Sequence, residues 1–164
     1  MNRGIYLDED LANAHPSSFC IGVAGYPEKH FGAPNLKTDL RYLKQKVDLG
    51  AEYIVTQMFF DNARFIAFVE ECRAIGIHVP IIPGIKPITT VSQISVLPTV
   101  FHIDIPEDLA EAVAACKDNA AAKEVGIEWT IQQSRELMKY GVPCLHFYSM
   151  GKSDPIHRIA RELF

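Results

Sequence analysis

Charge of one sign is scarce in this sequence: 16 Lys and Arg stand against 20 Asp and Glu, a formal net charge of −4. So small an imbalance leaves no basic stripe for a phosphate backbone, which excludes the usual electrostatic footprint of nucleic-acid binders and polybasic membrane binders. No apolar run approaches the roughly 18 residues of a membrane span. The opening Met1-Asn2-Arg3-Gly4-Ile5 has no signal-peptide core. The expected setting is cytoplasmic. Cysteines are few and widely spaced (Cys20, Cys72, Cys116, Cys144) with no CxxC pair, which argues against zinc and against a disulfide framework. They read as reduced, small, buried core residues. Neither GxGxxG nor GxxxxGK[ST] is present, so no standard phosphate loop is available; HExxH and GxSxG are also missing.

What is present is ordinary globular material: 164 residues, 48% hydrophobic and 22% charged, enough for one core without metals or cross-links. After a polar leading segment, residues 1–18, read as loop or helix, Phe19 to Ala24 forms a strand apolar on both faces, the pattern of a parallel sheet covered on both sides. Leu36, Leu40, Leu43 and Val47 follow at helical spacing, and Gly50 stands where a C-cap glycine belongs. Tyr53 to Phe60 is a second strand. Asp61 or Asn62 caps a helix with Phe65, Phe68, Val69 and Cys72 inward, ended by Gly76. Val79 to Ile85 is a third strand. The spacing then predicts a helix over Thr89–Val96 broken by Leu97-Pro98, a short extended stretch over Phe101–Pro106, and helices near Glu107–Cys116 and Ala120–Tyr140. Cys144 to Tyr148 is a fourth strand, and Asp154 caps a last helix with Pro155 at its first position.

Four strand–helix units imply a parallel sheet with right-handed crossovers, either an open doubly wound sheet or part of a (β/α)8 barrel. A whole barrel needs about 250 residues, so this chain holds about half of one. In both architectures ligands sit at the C-terminal strand ends. Those ends deliver Tyr26, Glu28 and His30, then Gln57, then Lys86, then Tyr148 and Lys152.

Gly25-Tyr26-Pro27-Glu28-Lys29-His30, the run from Asp39 through Lys46-Val47, Gly50-Ala51 and Thr56-Gln57-Met58-Phe59-Phe60-Asp61 resemble methylenetetrahydrofolate reductase. Ile81-Ile82-Pro83-Gly84-Ile85, Ile105-Pro106 and His146-Phe147-Tyr148 continue the resemblance in order. It implies a flavin-dependent (β/α)8 TIM barrel that reduces 5,10-methylenetetrahydrofolate to 5-methyltetrahydrofolate with NADH or NADPH as donor, this chain being about the last four βα units, a half-barrel. It places Tyr26, His30, Ala33, Asp39 and Lys46 on FAD contacts, with Tyr42 and Gln45 on further cofactor positions. Asp39 and Lys46 lie seven residues apart, on one helix face. Lys46 suits a phosphate and Asp39 a ribose or adenine donor; without the resemblance, the pair reads first as a solvated face. Gln57 falls on a folate-binding glutamine, Gln93 on a second substrate contact and Lys152 on a cation for the glutamate tail of folate. Leu97 stands where some relatives carry an aromatic over the flavin. Glu28 and Lys29 read as solvated flanks. The family's general acid and its flavin-facing aspartate have no counterpart here, so the chain is expected to be inactive alone, with no catalytic residue of its own. Its partners would be methylenetetrahydrofolate and either a second copy (a homo-oligomer) or a separate N-terminal half, with no nucleic acid and no membrane. A small α/β binding module without flavin is the competing expectation.

Overall fold

The computed structural model describes residues 2–5 and 14–164. The leading segment 1–18 lies partly outside these residues, and its described part is turn and coil. Along the chain, β1 (Gly22–Gly25) leads to α1 (Leu36–Asp48), and β2 (Tyr53–Met58) leads to α2 (Asn62–Ala74). Next, β3 (Ile81–Ile85) is followed by α3 (Gln93–Phe101), α4 (Glu107–Ala114) and α5 (Asn119–Tyr140). Finally come β4 (His146–Phe147) and α6 (Ser153–Leu163). The strands hydrogen-bond in sequence order, β1-β2-β3-β4, and every neighbouring pair is parallel. The order never reverses, whereas a doubly wound sheet is defined by such a reversal.

The helix boundaries follow local chemistry. Asn35 caps α1 by accepting from the Thr38 N–H at 2.9 Å, and Asp61 caps α2 by accepting from the Ala63 N–H at 2.8 Å. At the end of α1 the Gly50 N–H donates to the Val47 carbonyl at 2.9 Å and the Ala51 N–H to the Lys46 carbonyl at 3.1 Å. That double closure needs a left-handed residue, and Gly50 supplies φ +110° without a Cβ clash.

Burial along β2 alternates: Ile54, Thr56 and Met58 are buried, while Tyr53, Val55 and Gln57 are partly covered. Ile54 joins Ile81 and Ile85 in a core with Leu40 and Leu43 of α1, Phe65, Phe68 and Cys72 of α2, and Leu137 of α5. A second core gathers Met58, Phe60 and Ile88 with Leu97, Leu109 and Val113. Burying one such side chain contributes roughly 1.5–3 kcal/mol. Gly126 lets α5 approach the backbone at Ile88; a Cβ there would collide with the Ile88 carbonyl.

Several expectations are corrected. The first strand begins at Gly22 rather than Phe19, and it is not covered on both sides: Phe19 is 64% exposed and Ala24 is exposed, because β1 pairs only with β2. The fourth strand shrinks to His146–Phe147 for the same reason, having β3 as its one partner. All four cysteines are free, but only Cys72 is buried; Cys116 is half-buried, and Cys20 and Cys144 flank the two edge strands and are exposed. Pro98 does not break the helix and sits inside α3. A proline removes one ladder bond, and here the Thr99 hydroxyl donates to the Ser95 carbonyl at 2.8 Å in the same turn. The Phe101–Pro106 stretch is not a strand: Phe101 ends α3, and His102 closes it in the left-handed region at φ +53°. Asp154 lies within the first turn of α6 rather than capping it, since its carboxylate is drawn to Lys123 at 3.1 Å.

Candidate functional site

The loop leaving β1 is held by its own charged residues. Lys29 adopts φ +81° and its ammonium donates to the Ala33 carbonyl at 2.8 Å and the His30 carbonyl at 3.1 Å. Asp39, in the first turn of α1, accepts from the His30 N–H at 2.9 Å. The His30 Nδ1 accepts from the Gly32 N–H at 3.1 Å, which places the neutral ring's proton on Nε2 and leaves that edge as a donor. The His30 ring meets Tyr26 edge-on at 4.6 Å and Phe31 at 4.7 Å, and Phe31 meets His102 at 4.8 Å. Tyr26, His30, Ala33 and Asp39 therefore form one ordered unit. Tyr42, Gln45 and Lys46 are exposed along α1, and the Arg41 guanidinium lies 5.6 Å from the Tyr42 ring centre.

Gln57, one residue before the end of β2, lines a small cavity with Tyr26 and Glu28. Its amide oxygen accepts from the Met58 N–H at 3.0 Å, which orients the amide and fixes where its NH2 group points. Gln93 repeats that arrangement, accepting from the Thr89 N–H at 2.7 Å. It lines a second cavity with Lys86, Tyr148 and Lys152. The Tyr148 hydroxyl donates to the Thr56 carbonyl at 2.8 Å, passing over Gly84, where a side chain would strike its ring. Burial raises the phenol's pKa, and Tyr26 adds to the effect. Leu97 is buried in the second core, 3% exposed.

Glu28 and Lys29 are not solvated flanks. Lys29 holds the loop as described. Glu28 accepts from the Asp104 N–H at 2.8 Å through one oxygen, while the other is buried with no partner among the described residues. Burial above all pushes its pKa up to about 7, opposed by the hydrogen bond from the Asp104 N–H and by Arg64 and reinforced by the charges of Asp104 and Asp61. Sequence reasoning missed this because the partner lies 76 residues away and no local pattern announces it. Lys86 was visible only as a polar residue at a strand end; the structure buries it to 4% exposure. Its ammonium donates to the Pro87 carbonyl at 3.2 Å, and burial followed by the charge of Lys152 lowers its pKa. Among the described residues no group of three or more His, Cys, Asp or Glu could hold a metal ion, and no helix is long and apolar enough to cross a membrane.

A parallel sheet in strict sequence order defines an α/β protein, and its polar groups gather at the carboxyl ends of the strands. Comparison with known proteins sharpens the class. The family model for methylenetetrahydrofolate reductase matches residues 8–163. A probable methylenetetrahydrofolate reductase (NADPH) of Caenorhabditis elegans is 40% identical over 163 residues, 98% of this chain and 25% of that protein. Methylenetetrahydrofolate reductase (NADH) 1 of Arabidopsis thaliana is 41% identical over 155 residues, covering 88% of this chain and 26% of the relative. The 5,10-methylenetetrahydrofolate reductase of Escherichia coli K12 is 34% identical over 148 residues, 90% of this chain and 50% of the relative. Among solved structures, an uncharacterized protein from Clostridium thermocellum that binds two copies of 5-methyl-5,6,7,8-tetrahydrofolic acid shares the fold. Its TM-score is 0.62 at 20% identity, over 86% of this chain and 51% of that one. The chain belongs to the methylenetetrahydrofolate reductase family. It spans about a quarter of the length of the eukaryotic relatives and half of the bacterial one.

Proposed function

We propose that this chain forms the FAD- and folate-binding half of a (β/α)8 barrel that reduces 5,10-methylenetetrahydrofolate to 5-methyltetrahydrofolate with NADH or NADPH. The observation that carries the reading is the ordered Tyr26–His30–Asp39 unit, held at the same sheet end as Gln57. The family supplies the reaction, and the names of the relatives include both nicotinamide donors.

The residues fit the cofactor. Among the described residues the His30 Nε2 edge and the Asp39 Oδ1 are left over as one donor and one acceptor, joined through the His30 N–H to Asp39 bond. Lys46, exposed two turns along the same helix face, is placed for a phosphate charge. Ala33 is buried and lets the loop backbone close around Lys29. Tyr42 and Gln45 add an exposed ring and amide on α1. When bound, FAD supplies a two-electron carrier between the nicotinamide and the folate. On the substrate side, the NH2 groups of Gln57 and Gln93 donate to a pterin or amide acceptor, and Lys152 pairs with a carboxylate as a point charge. Ring opening of the substrate needs a proton donor within hydrogen-bond reach. The resemblance gives no residue of this chain that role, so the half-barrel binds and does not turn over alone.

The sheet supports the assembly part of this reading. Among the described residues β1 and β4 each pair on one side only, which leaves two strand edges for a second copy or an N-terminal half. The test is direct. The purified chain should bind FAD and quench its fluorescence, and should show no nicotinamide–folate turnover until the other barrel half is supplied. A colourless, FAD-indifferent chain favours the plain α/β binding module instead, and turnover by the chain alone refutes the division of labour.

A further inference from the structure

A cavity of about 650 Å³ opens where the starts of α2 and α4 meet the middle of α5. None of its residues is among those assigned to flavin or folate, and its size is that of small-molecule sites, which run from roughly 300 to 1,000 Å³. Phe60, Ile66, Pro106 and Trp129 make its apolar part. Its charge is of one sign: Asp61, Asp108 and Glu136 line it, and among the described residues its wall holds no Lys, Arg or His. None of these carboxylates joins an ion pair among the described residues. The hydrogen bonds of the wall point the same way. Asn62 Nδ2 donates to the Gln133 carbonyl at 3.2 Å and to Glu136 Oε2 at 2.8 Å. Gln132 Nε2 donates to Glu136 Oε1 at 2.8 Å, Gln133 Nε2 to the Phe59 carbonyl at 3.0 Å, and the Trp129 indole N–H to the Phe60 carbonyl at 3.3 Å. These donors are thus turned onto the protein, and the oxygens are not matched. Asn62 Oδ1 and Gln133 Oε1 are buried with no partner among the described residues, and Gln133 as a whole is 4% exposed. Flipping either amide gives no relief, because its oxygen would then face the carbonyl or carboxylate that its nitrogen now meets. Buried acceptors without donors are rare in folded proteins and destabilise them. What this cavity has left over is acceptors and negative charge, beside an indole.

We propose that this cavity binds a small organic cation, a guanidinium, amidinium or ammonium carried on an apolar body. The carboxylates supply charge-assisted acceptors, and the two orphaned amide oxygens take further N–H donors. Trp129, its ring fixed by the bond to Phe60, offers the aromatic partner that cations prefer. A planar, forked set of donors suits several acceptors at once better than a point charge does. A neutral ligand of the same shape fills the apolar part and leaves the carboxylates unmatched, and an anion is repelled. The site stands independently of the flavin and folate reading.

Benzamidine, a planar amidinium on an aromatic ring, is the probe, with benzamide and benzoate as its neutral and anionic counterparts of similar shape. Trp129 is the single tryptophan of the chain, so its indole N–H resonance in the 15N-labelled protein reports on this cavity. We expect saturable shifts of that resonance with benzamidine, an affinity about tenfold weaker for benzamide, and no response to benzoate. Asp108→Asn combined with Glu136→Gln, both at exposed positions, should weaken benzamidine about tenfold and leave benzamide unchanged. The three probes are compared on the wild-type chain, so the result stands even where the double variant is less stable. Equal affinities for benzamidine and benzamide reduce the cavity to an apolar crevice and overturn the proposal. A benzamidine response that the double variant leaves intact overturns it too, as does the absence of any saturable shift. Shifts at the backbone amides of Ala33 and Gln57 in place of Trp129 put the cation in the flavin and folate region and likewise overturn it.

Discussion

Glu28→Gln separates the charge of this side chain from its shape and its hydrogen bond. The amide oxygen of glutamine can still accept from the Asp104 N–H, now 2.8 Å from Oε2, so the tie between the β1–α1 loop and the stretch after α3 survives. What disappears is the ionised form that burial disfavours. The carboxyl titrates at about 7 in the folded chain against an ordinary 4.5. Each unit corresponds to about 1.4 kcal/mol, and partial exposure screens part of it, leaving an effect of about 2 kcal/mol. Below pH 4.5 the group is neutral in both states and contributes no difference. Between 4.5 and 7 the unfolded chain releases its proton while the folded chain holds it, so this group makes stability fall as pH rises. Above 7 both states are ionised and the full cost remains. Urea unfolding at a series of pH values should therefore show Glu28→Gln level with wild type near pH 4.5 and more stable by about 2 kcal/mol at pH 8. A gap that does not change with pH, or a variant weaker than wild type at pH 8, refutes the reasoning.

Further tests address other parts of the structure. Asp39→Ala removes the acceptor for the His30 N–H, which should lower FAD affinity at least tenfold in a fluorescence titration; an unchanged affinity removes Asp39 from the cofactor site. Gly126→Ala forces a methyl into the Ile88 carbonyl and should cost about 3 kcal/mol in denaturant unfolding, whereas a neutral result shows that α5 can shift at no cost. Thr56→Val strips the buried Gly84 N–H of its 2.9 Å acceptor and should cost about 1–3 kcal/mol; a loss below about 0.5 kcal/mol says the strand pair does not need it. Asn35→Ala should cost about 1 kcal/mol through the lost cap of α1, seen as faster hydrogen exchange in its first turn.

Helices were legible wherever a stripe and a cap coincide. The Leu36–Leu40–Leu43–Val47 spacing and Gly50 describe α1 in full, because period, cap and left-handed glycine are all local. Errors cluster where a local rule was overruled. Pro98 reads as a stop, yet one missing bond inside a short helix is outweighed by burying Leu97 in the second core. Asp154 reads as a cap, yet Lys123 from α5 claims its carboxylate. Strand ends were the least legible, since the length of an edge strand depends on its neighbour.

The order of the motifs by itself determined the family, the parallel character of the sheet and the end at which polar groups collect, because these follow from hydrophobic period and from residue type at fixed spacing. Tertiary structure alone decided the state of individual side chains at that end. Glu28 meets Asp104 only when the α3–α4 connection folds back over β1, and Lys86 is stripped of water only when Tyr148 and Lys152 close beside it. Desolvation depends on what surrounds a group in three dimensions, so Glu28, which reads as a solvated flank, and Lys86, which reads only as a polar residue at a strand end, are both shifted by burial.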